Sequence, residues 1–338
     1  MKLFREGTSL KSLCLNKRFC VTAFLVVAVC LSIQVMNQID SATSQPEPDL
    51  AAFNSSVAQP DISEVKQASL ETNESQVSLV NFEVDEAADQ SVIPERLEGR
   101  AAVELNMALL QAGYDRLSQT SGYTAKYYQH EVVGGKLLGE QLIDLKIRHQ
   151  PFSVYFKWLT YDVGKEVIFV SGKHDGRLLV HFGGWKARML PVLKISPSNP
   201  LAKAESRYPI TSAGLMALME TLMHYREIDL QRENPGVDFR LLGSETFNGT
   251  DCYRFELVYE APHFSELYRK SIQLIDKQFQ LPVFVKNYAW PGHDRPMTDV
   301  ELDDETFIEH YTYSDIDMEP QLTEVDFDTT NEAYNYRK

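Results

Sequence analysis

From about Pro94 onward, apolar positions recur with two distinct periods. Arg100 to Ser118, RAAVELNMALLQAGYDRLS, places Leu105, Ala108, Leu109, Ala112 and Leu117 near helical spacing. That stretch predicts an amphipathic helix with its apolar stripe against a sheet. Thr211 to Leu230, TSAGLMALMETLMHYREIDL, predicts a second helix with Thr211 as its N-cap. Leu215, Leu218, Leu222 and Tyr225 form one row on it, and Met216, Met219 and Met223 form an adjoining one.

Elsewhere the period is two, as side chains alternate along a strand. Leu145 and Ile147 alternate with Lys146 and Arg148. In PFSVYFKW, Phe152, Val154, Phe156 and Trp158 share one face, and Ser153, Tyr155 and Lys157 the other. Pro151 cannot donate a ladder hydrogen bond, so it belongs at a strand end or edge. Gly134-Gly135, Lys173 to Gly176 and Asn248-Gly249 read as turns between sequential strands. Short connections favour antiparallel pairing. The expected fold class is α+β: a large curved antiparallel sheet, a half-barrel, of about ten strands with helices packed on its concave face.

The amino-terminal part reads differently. Lys17-Arg18 precede Phe19 to Met36, an uncharged run of about 18 residues that approaches the length of a membrane span. The positive residues before it keep that end in the cytoplasm, so the rest is exported, to the periplasm or envelope. The run is either a cleaved signal peptide or an uncleaved signal anchor, and retained anchoring is favoured. Asn37 to Ser91 carries 11 carboxylates against one lysine, Lys66, without sustained periodicity. Such a segment reads as an acidic disordered tether. The expected organisation is therefore a stub and signal segment over 1–36, a tether over 37–91, and one domain over 92–338.

Charge and chemistry narrow the function classes. The formal net charge is −15, which argues against nucleic acid as a partner, because phosphate contacts need clustered Lys and Arg. Cys14, Cys20 and Cys30 lie in or before the apolar run, and Cys252 stands alone downstream, so no disulfide framework or CxxC metal site is expected. There is no phosphate loop, dinucleotide fingerprint, H-E-x-x-H or nucleophile elbow. No cofactor is expected. The Asp303-Asp304-Glu305 run reads as a solvated loop rather than a calcium site. His181, in LLVHF, is the candidate around which a hydrolase site would be assembled from distant residues. The informative constellation is apolar. Phe152, Phe156 and Trp158 line one strand face, and Met216, Met219 and Met223 stripe the facing helix. Methionine suits surfaces that accept varied apolar ligands, and ligand pockets are mostly apolar. A filled core is the other reading of the same pattern.

The stretches PFSVYFKW, the Gly172 to His181 turn, RYPITSAGL and YSDIDM make Arg100 to Tyr336 resemble a bacterial family of exported proteins, domain-of-unknown-function family 1571. More remotely, Arg148, Pro151, Phe152 and Trp158 followed by VIFVSGKHDGRLLVHF, with LIDKQFQLPV and the late YTYSDIDMEPQLTEVDFD, resemble the carriers of outer-membrane lipoproteins. That resemblance implies a half-barrel capped by helices with an apolar cavity that shields acyl chains. It does not imply lipoprotein cargo. The acidic tether and the anchor fit a tethered receptor or static lipid-binding module better than a soluble shuttle. The expected function is a non-enzymatic module that holds an acyl chain, a lipid or a lipidated protein, with the membrane engaged through the N-terminal segment. A closed-core envelope scaffold and a hydrolase are the alternatives.

Overall fold

The computed structural model describes residues 93–336. The uncharged run Phe19–Met36 and the acidic segment 37–91 lie outside the described residues.

Among the described residues, thirteen strands form one antiparallel sheet. They are β1 (Leu97–Glu98), β2 (Gly122–Val133), β3 (Lys136–Leu137), β4 (Gln141–Arg148), β5 (Ser153–Trp158), β6 (Glu166–Val170), β7 (Leu178–His181), β8 (Leu193–Ile195), β9 (Val237–Phe247), β10 (Thr250–Tyr259), β11 (Lys270–Asp276), β12 (Pro282–Tyr288) and β13 (Phe307–Asp317). In space the order is β1-β9-β10-β11-β12-β13-β2-β4-β5-β6-β7-β8, with β3 paired to β2. The sheet stays open, because β1 and β8 each pair on one side only. The fold is α+β, as the two hydrophobic periods predict. The ten expected strands are present. The additional ones are the short β1 and β8, and β3, which splits from the stretch read as a single strand over 136–149.

Two meanders make up this sheet. One runs through β2 and β4 to β8, the other from β9 to β13, and the pairing of β13 with β2 joins them. Its register sets Tyr313 opposite Tyr127, Tyr311 opposite Gln129, and Glu309 opposite Glu131.

Helix α1 (Gly99–Ser118) packs over β9, and α2 (Leu215–Gln231) packs mainly on α1 and more lightly on β12. The buried face of α1 is Ala102, Val103, Asn106, Leu110, Gly113 and Leu117, rotated from the stripe that the leucine and alanine spacing predicts. Two residues cause the rotation. Asn106 is fully buried because its amide donates to Gln273 Oε1 at 3.3 Å. Gly113 lies against the backbone carbonyl of Gln280, where a side chain would overlap it.

Helix α2 starts later than Thr211. Residues Ile210–Ser212 form a 3-10 turn, and Gly214, at φ 98°, is the N-cap. The Leu215 N–H is satisfied by the buried hydroxyl of Tyr123 at 2.7 Å, which fixes where α2 begins. Its buried line is Leu215, Met219, Leu222, Arg226 and Asp229. Asp229 accepts from the Tyr259 hydroxyl at 2.9 Å, and Arg226 lies over the Phe239 ring. The acidic run Asp303 to Glu305 belongs to α3 (Asp299–Thr306) rather than to a loop. A capping box between Thr298 and Glu301 starts that helix, and Asp303 pairs with Arg269 and Lys270.

The opposite face of β4 to β7 is covered as well. Downstream of β13 the chain crosses it, and Phe327, Tyr334 and Tyr336 form a second small core with Tyr155, Ile168, Val170 and Leu179. The Tyr334 ring stacks on Tyr155 at 4.0 Å. Asn335 donates to both oxygens of the fully buried Glu166 at 2.8 Å, from its backbone N–H and from Nδ2. Asp326 pairs with Lys146 at 2.6 Å. All five residues of β6, EVIFV, are buried for this reason.

Gly113→Ala tests the α1 contact. Alanine ordinarily favours a helix over glycine. Here it should instead lower the urea midpoint, by a stability loss of about 1–3 kcal/mol, because the Gln280 backbone must move. A neutral or stabilising result would show that α1 does not seat as closely as described.

Candidate functional site

Alternation on β2, β4, β5, β12 and β13 decides which side chains look toward the helices. Tyr127, Tyr311 and Tyr313 do so beside Phe156 and Trp158. Their rings form a series: Trp158 against Phe156 at 5.8 Å, Phe156 against Tyr127 at 6.2 Å, and Tyr127 against Tyr313 at 5.0 Å and Tyr311 at 6.1 Å. This face carries two buried clusters. The larger joins the helices to β2, β4, β5 and β9 to β13. The smaller comprises Ile143, Trp158, Val167, Phe169, Leu178 and Val180. Half-buried Tyr127, Phe152 and Phe156 pack against both.

The six residues singled out by their spacing fall at different depths. Met219 is fully buried in the larger cluster, while Met216 and Met223 are half-buried against it. Trp158 is buried in the smaller cluster, with Nε1 donating to Gln141 Oε1 at 2.6 Å. Phe152 and Phe156 sit between the clusters. Two clefts are described, and none of the six lines either. One, of about 390 Å³, lies on the opposite face between Tyr155, Lys146, Lys157 and Tyr334. The other, of about 130 Å³, lies beside the β9–β10 turn.

His181 does not face this interior. It pairs across β6 with Glu166, on the side covered by the chain's end, and its ring lies 5.6 Å from that of Tyr336. Arg148 also points to that side, pairing with Glu324 and donating to Ser153 Oγ at 2.9 Å. Cys252 is a fully buried member of the larger cluster, which is the small-residue filling that its lone position predicts.

At one end the aromatic series meets a polar group that hydrophobic spacing does not reveal. Glu131 and Glu309 stand directly opposite each other across β2 and β13, and both are buried. Like charges so placed repel. Donors converge to offset this. Glu309 accepts from Asn287 Nδ2 at 2.7 Å and from the Tyr268 hydroxyl at 2.9 Å, and Arg207 Nε lies 2.6 Å from Glu309 Oε2. The Tyr311 hydroxyl donates to Glu131, and Arg207 Nη1 donates to the Val132 carbonyl at 3.0 Å. Burial and the Glu309 charge push the Tyr268 and Tyr311 hydroxyls well above the ordinary phenol range, so both remain donors. Burial raises Glu131; the Tyr311 hydrogen bond pulls it back and the Glu309 charge pushes it up again, leaving it at about 7. Glu309 receives most of the donors. The signal for this group was available. Gln129, Glu131, Asn287 and Glu309 are polar residues at inward positions of otherwise apolar or aromatic alternations.

Residues 120–336 match the model of a protein family of unknown function, DUF1571. The chain belongs to that family. Among curated proteins, none matches the sequence. Solved structures with some likeness include a DUF1329 family protein from Desulfovibrio piger, 17% identical over 67% of this chain and 97% of that one, with a TM-score of 0.31. A putative outer membrane lipoprotein-sorting protein domain from Vibrio parahaemolyticus is 14% identical over 67% and 97%, with a TM-score of 0.30. The lipoprotein LppX of Mycobacterium tuberculosis is 12% identical over 65% and 98%, with a TM-score of 0.31.

The Glu131 shift has a definite sign. Its folded value, about 7, lies above the ordinary 4.5, so the folded protein holds this proton more tightly than the unfolded chain does. The resulting stability is complete below pH 4.5 and is lost as the pH rises through about 7. Glu131→Gln should remove that decline, worth about 3 kcal/mol. Urea midpoints of the two proteins between about pH 4 and 8 measure it. Parallel curves would mean that Glu131 titrates normally.

Proposed function

We propose that residues 92–338 form one exported, non-enzymatic module that holds an acyl chain, as a lipid or on a lipidated protein, between the inner face of β5 and helix α2. The observation that carries this reading is the interruption of the inner-face core. Phe152, Phe156 and Tyr127 remain half-buried between two buried clusters, and apolar spacing directs the first two to a binding wall. A filled core would merge the two clusters across these rings. The half-buried Met216 and Met223 supply side chains that can repack around a guest. Met219 and Trp158 then act as the floor. The polar set around Glu309 supplies the few oriented groups that such sites combine with an apolar wall. Burial of apolar surface, about 25 cal/mol per Å², is the driving force. In this reading Phe19–Met36 holds the module at the membrane, outside the cytoplasm.

A closed-core scaffold is the second reading. It is favoured by the complete burial of Met219 and by the hydrogen-bonded Trp158. Two variants separate the readings. Trp158→Ala should cost about 3–5 kcal/mol under either one. Phe156→Ala should cost clearly less than that and should abolish lipid retention if the wall binds a chain. Native mass spectrometry of the gently purified full chain should show a bound lipid, lost in Phe156→Ala. A lipid-free protein that Phe156→Ala unfolds as readily as Trp158→Ala does would leave the scaffold reading standing.

A further inference from the structure

The rim formed by the β5–β6 and β7–β8 connections exposes large apolar side chains that no described element covers. Tyr161 and Val163 are each 62% exposed, Trp185 70% and Met189 72%. They belong to one surface. The carbonyl of Val163 lies against Gly183, two residues before Trp185, and Lys186 approaches Asp162 at 3.9 Å. A 3-10 turn over Gly184–Arg188, with the Leu190 N–H donating to the Lys186 carbonyl at 2.9 Å, holds Trp185 and Met189 on a short projecting knob.

Charge distinguishes this rim from the rest of the chain. Phe182 to Ala204 carries Lys186, Arg188, Lys194 and Lys203 and no carboxylate, in a protein with 48 acidic and 33 basic residues. All four cations are exposed. Asp162 pairs with Lys165 and Lys186, and Glu205 with Lys165. An exposed apolar patch marks an interaction surface. Tryptophan and tyrosine with lysine and arginine beside them match the headgroup layer of a bilayer, where the rings sit at the interface and the cations meet anionic lipid.

We infer that this rim docks on an anionic lipid surface, with Trp185 and Met189 entering the headgroup–acyl boundary and Lys186 and Arg188 contacting lipid phosphates. The surface would serve the domain whether or not the interior holds a lipid. It lies at the Trp158 end of β5, where Lys165 sits 4.3 Å over the Trp158 ring, so docking would turn that end of the inner face toward the bilayer.

The test uses the full chain with vesicles of phosphatidylcholine and phosphatidylglycerol whose acyl chains carry bromine, a short-range quencher of tryptophan. The emission lost on Trp185→Phe isolates this residue from Trp158 and Trp290, and Phe19–Met36 contains no tryptophan. Trp185 should be quenched and blue-shifted on vesicles containing phosphatidylglycerol. The double variant Lys186→Gln/Arg188→Gln should lower the docked-to-undocked ratio of Trp185 about thirty-fold, at roughly five- to six-fold per removed cation. Unquenched Trp185 on vesicle-bound protein would overturn the inference. So would equal quenching on pure phosphatidylcholine that ignores the double variant. A blue shift that appears without vesicles and grows with protein concentration would assign the rim to a second copy of the chain instead.

Discussion

The pairing of β13 with β2 is the constraint on which the rest of the molecule depends. It is the seam between two meanders that are otherwise local in sequence, and it closes a long loop for its first hydrogen bond. Side chains alternate with period two, so a slip of one residue would exchange the faces of every strand beyond it. The observed register brings Tyr127, Tyr311 and Tyr313 together inside and leaves Tyr128, paired with Thr312, on the opposite face. It also forces two buried glutamates into opposition. The converging donors from Asn287, Tyr268, Tyr311 and Arg207 are what make that opposition tolerable, since a buried charge without partners costs far more than a surface one. Arg207 and Tyr208 reach this seam from the RYPITSAGL stretch, which then turns at Gly214 to begin α2. Seam and helix are thus fixed by one short segment.

The two faces of the sheet are covered by different means. Helices cover the inner face, mostly over the second meander. The end of the chain covers the outer face of the first meander, through a ring stack, a buried glutamate and backbone contacts instead of a helix. The inner face of the first meander therefore receives the thinnest cover. Leu193 and Ile195 of the edge strand β8, with Ala202 and Ile210 from the short helical turns Pro200–Lys203 and Ile210–Ser212, are the half-buried residues packed against it there. It is the region of the sheet with the fewest packed helices over it.

Much of this was legible from spacing alone. The ten longer strands, both main helices and the inward side of β5 follow from apolar periods, because burial on a pleated or helical surface imposes them. The failures have physical causes. Apolar spacing puts the α1 stripe on Leu105, Ala108, Leu109 and Ala112, whereas the buried face includes Asn106, satisfied by Gln273, and Gly113, which permits a close backbone approach. Thr211 is a good capping residue, yet α2 begins at Leu215, whose N–H is taken by a distant tyrosine hydroxyl. The polar set around Glu309 and the outer layer from Phe327 to Tyr336 depend on contacts between residues far apart in the chain. No local period encodes those contacts. The run VIFV in β6 was the one local hint of the outer layer, since only a strand covered on both faces abandons alternation.

The same reasoning separates hydrophobicity from function among the six inward residues. Phe156 and Trp158 occupy neighbouring positions of one parity and one strand, and their composition gives no ground for treating them differently. Their surroundings do. Trp158 has a hydrogen-bond partner for its only polar atom, a cation over its ring and neighbours from a single cluster, so it behaves as core. Phe156 touches two clusters without being enclosed by either. A side chain so placed loses little when its neighbours part and gains contact when a chain enters between them. Met216 and Met223 are half-buried against the larger cluster alone, beside the fully enclosed Met219. The boundary between floor and wall therefore runs through each row of predicted residues and not between the strand and the helix. Under the proposed reading, that division lets a ligand be accommodated without dismantling the core on which the β2–β13 register rests.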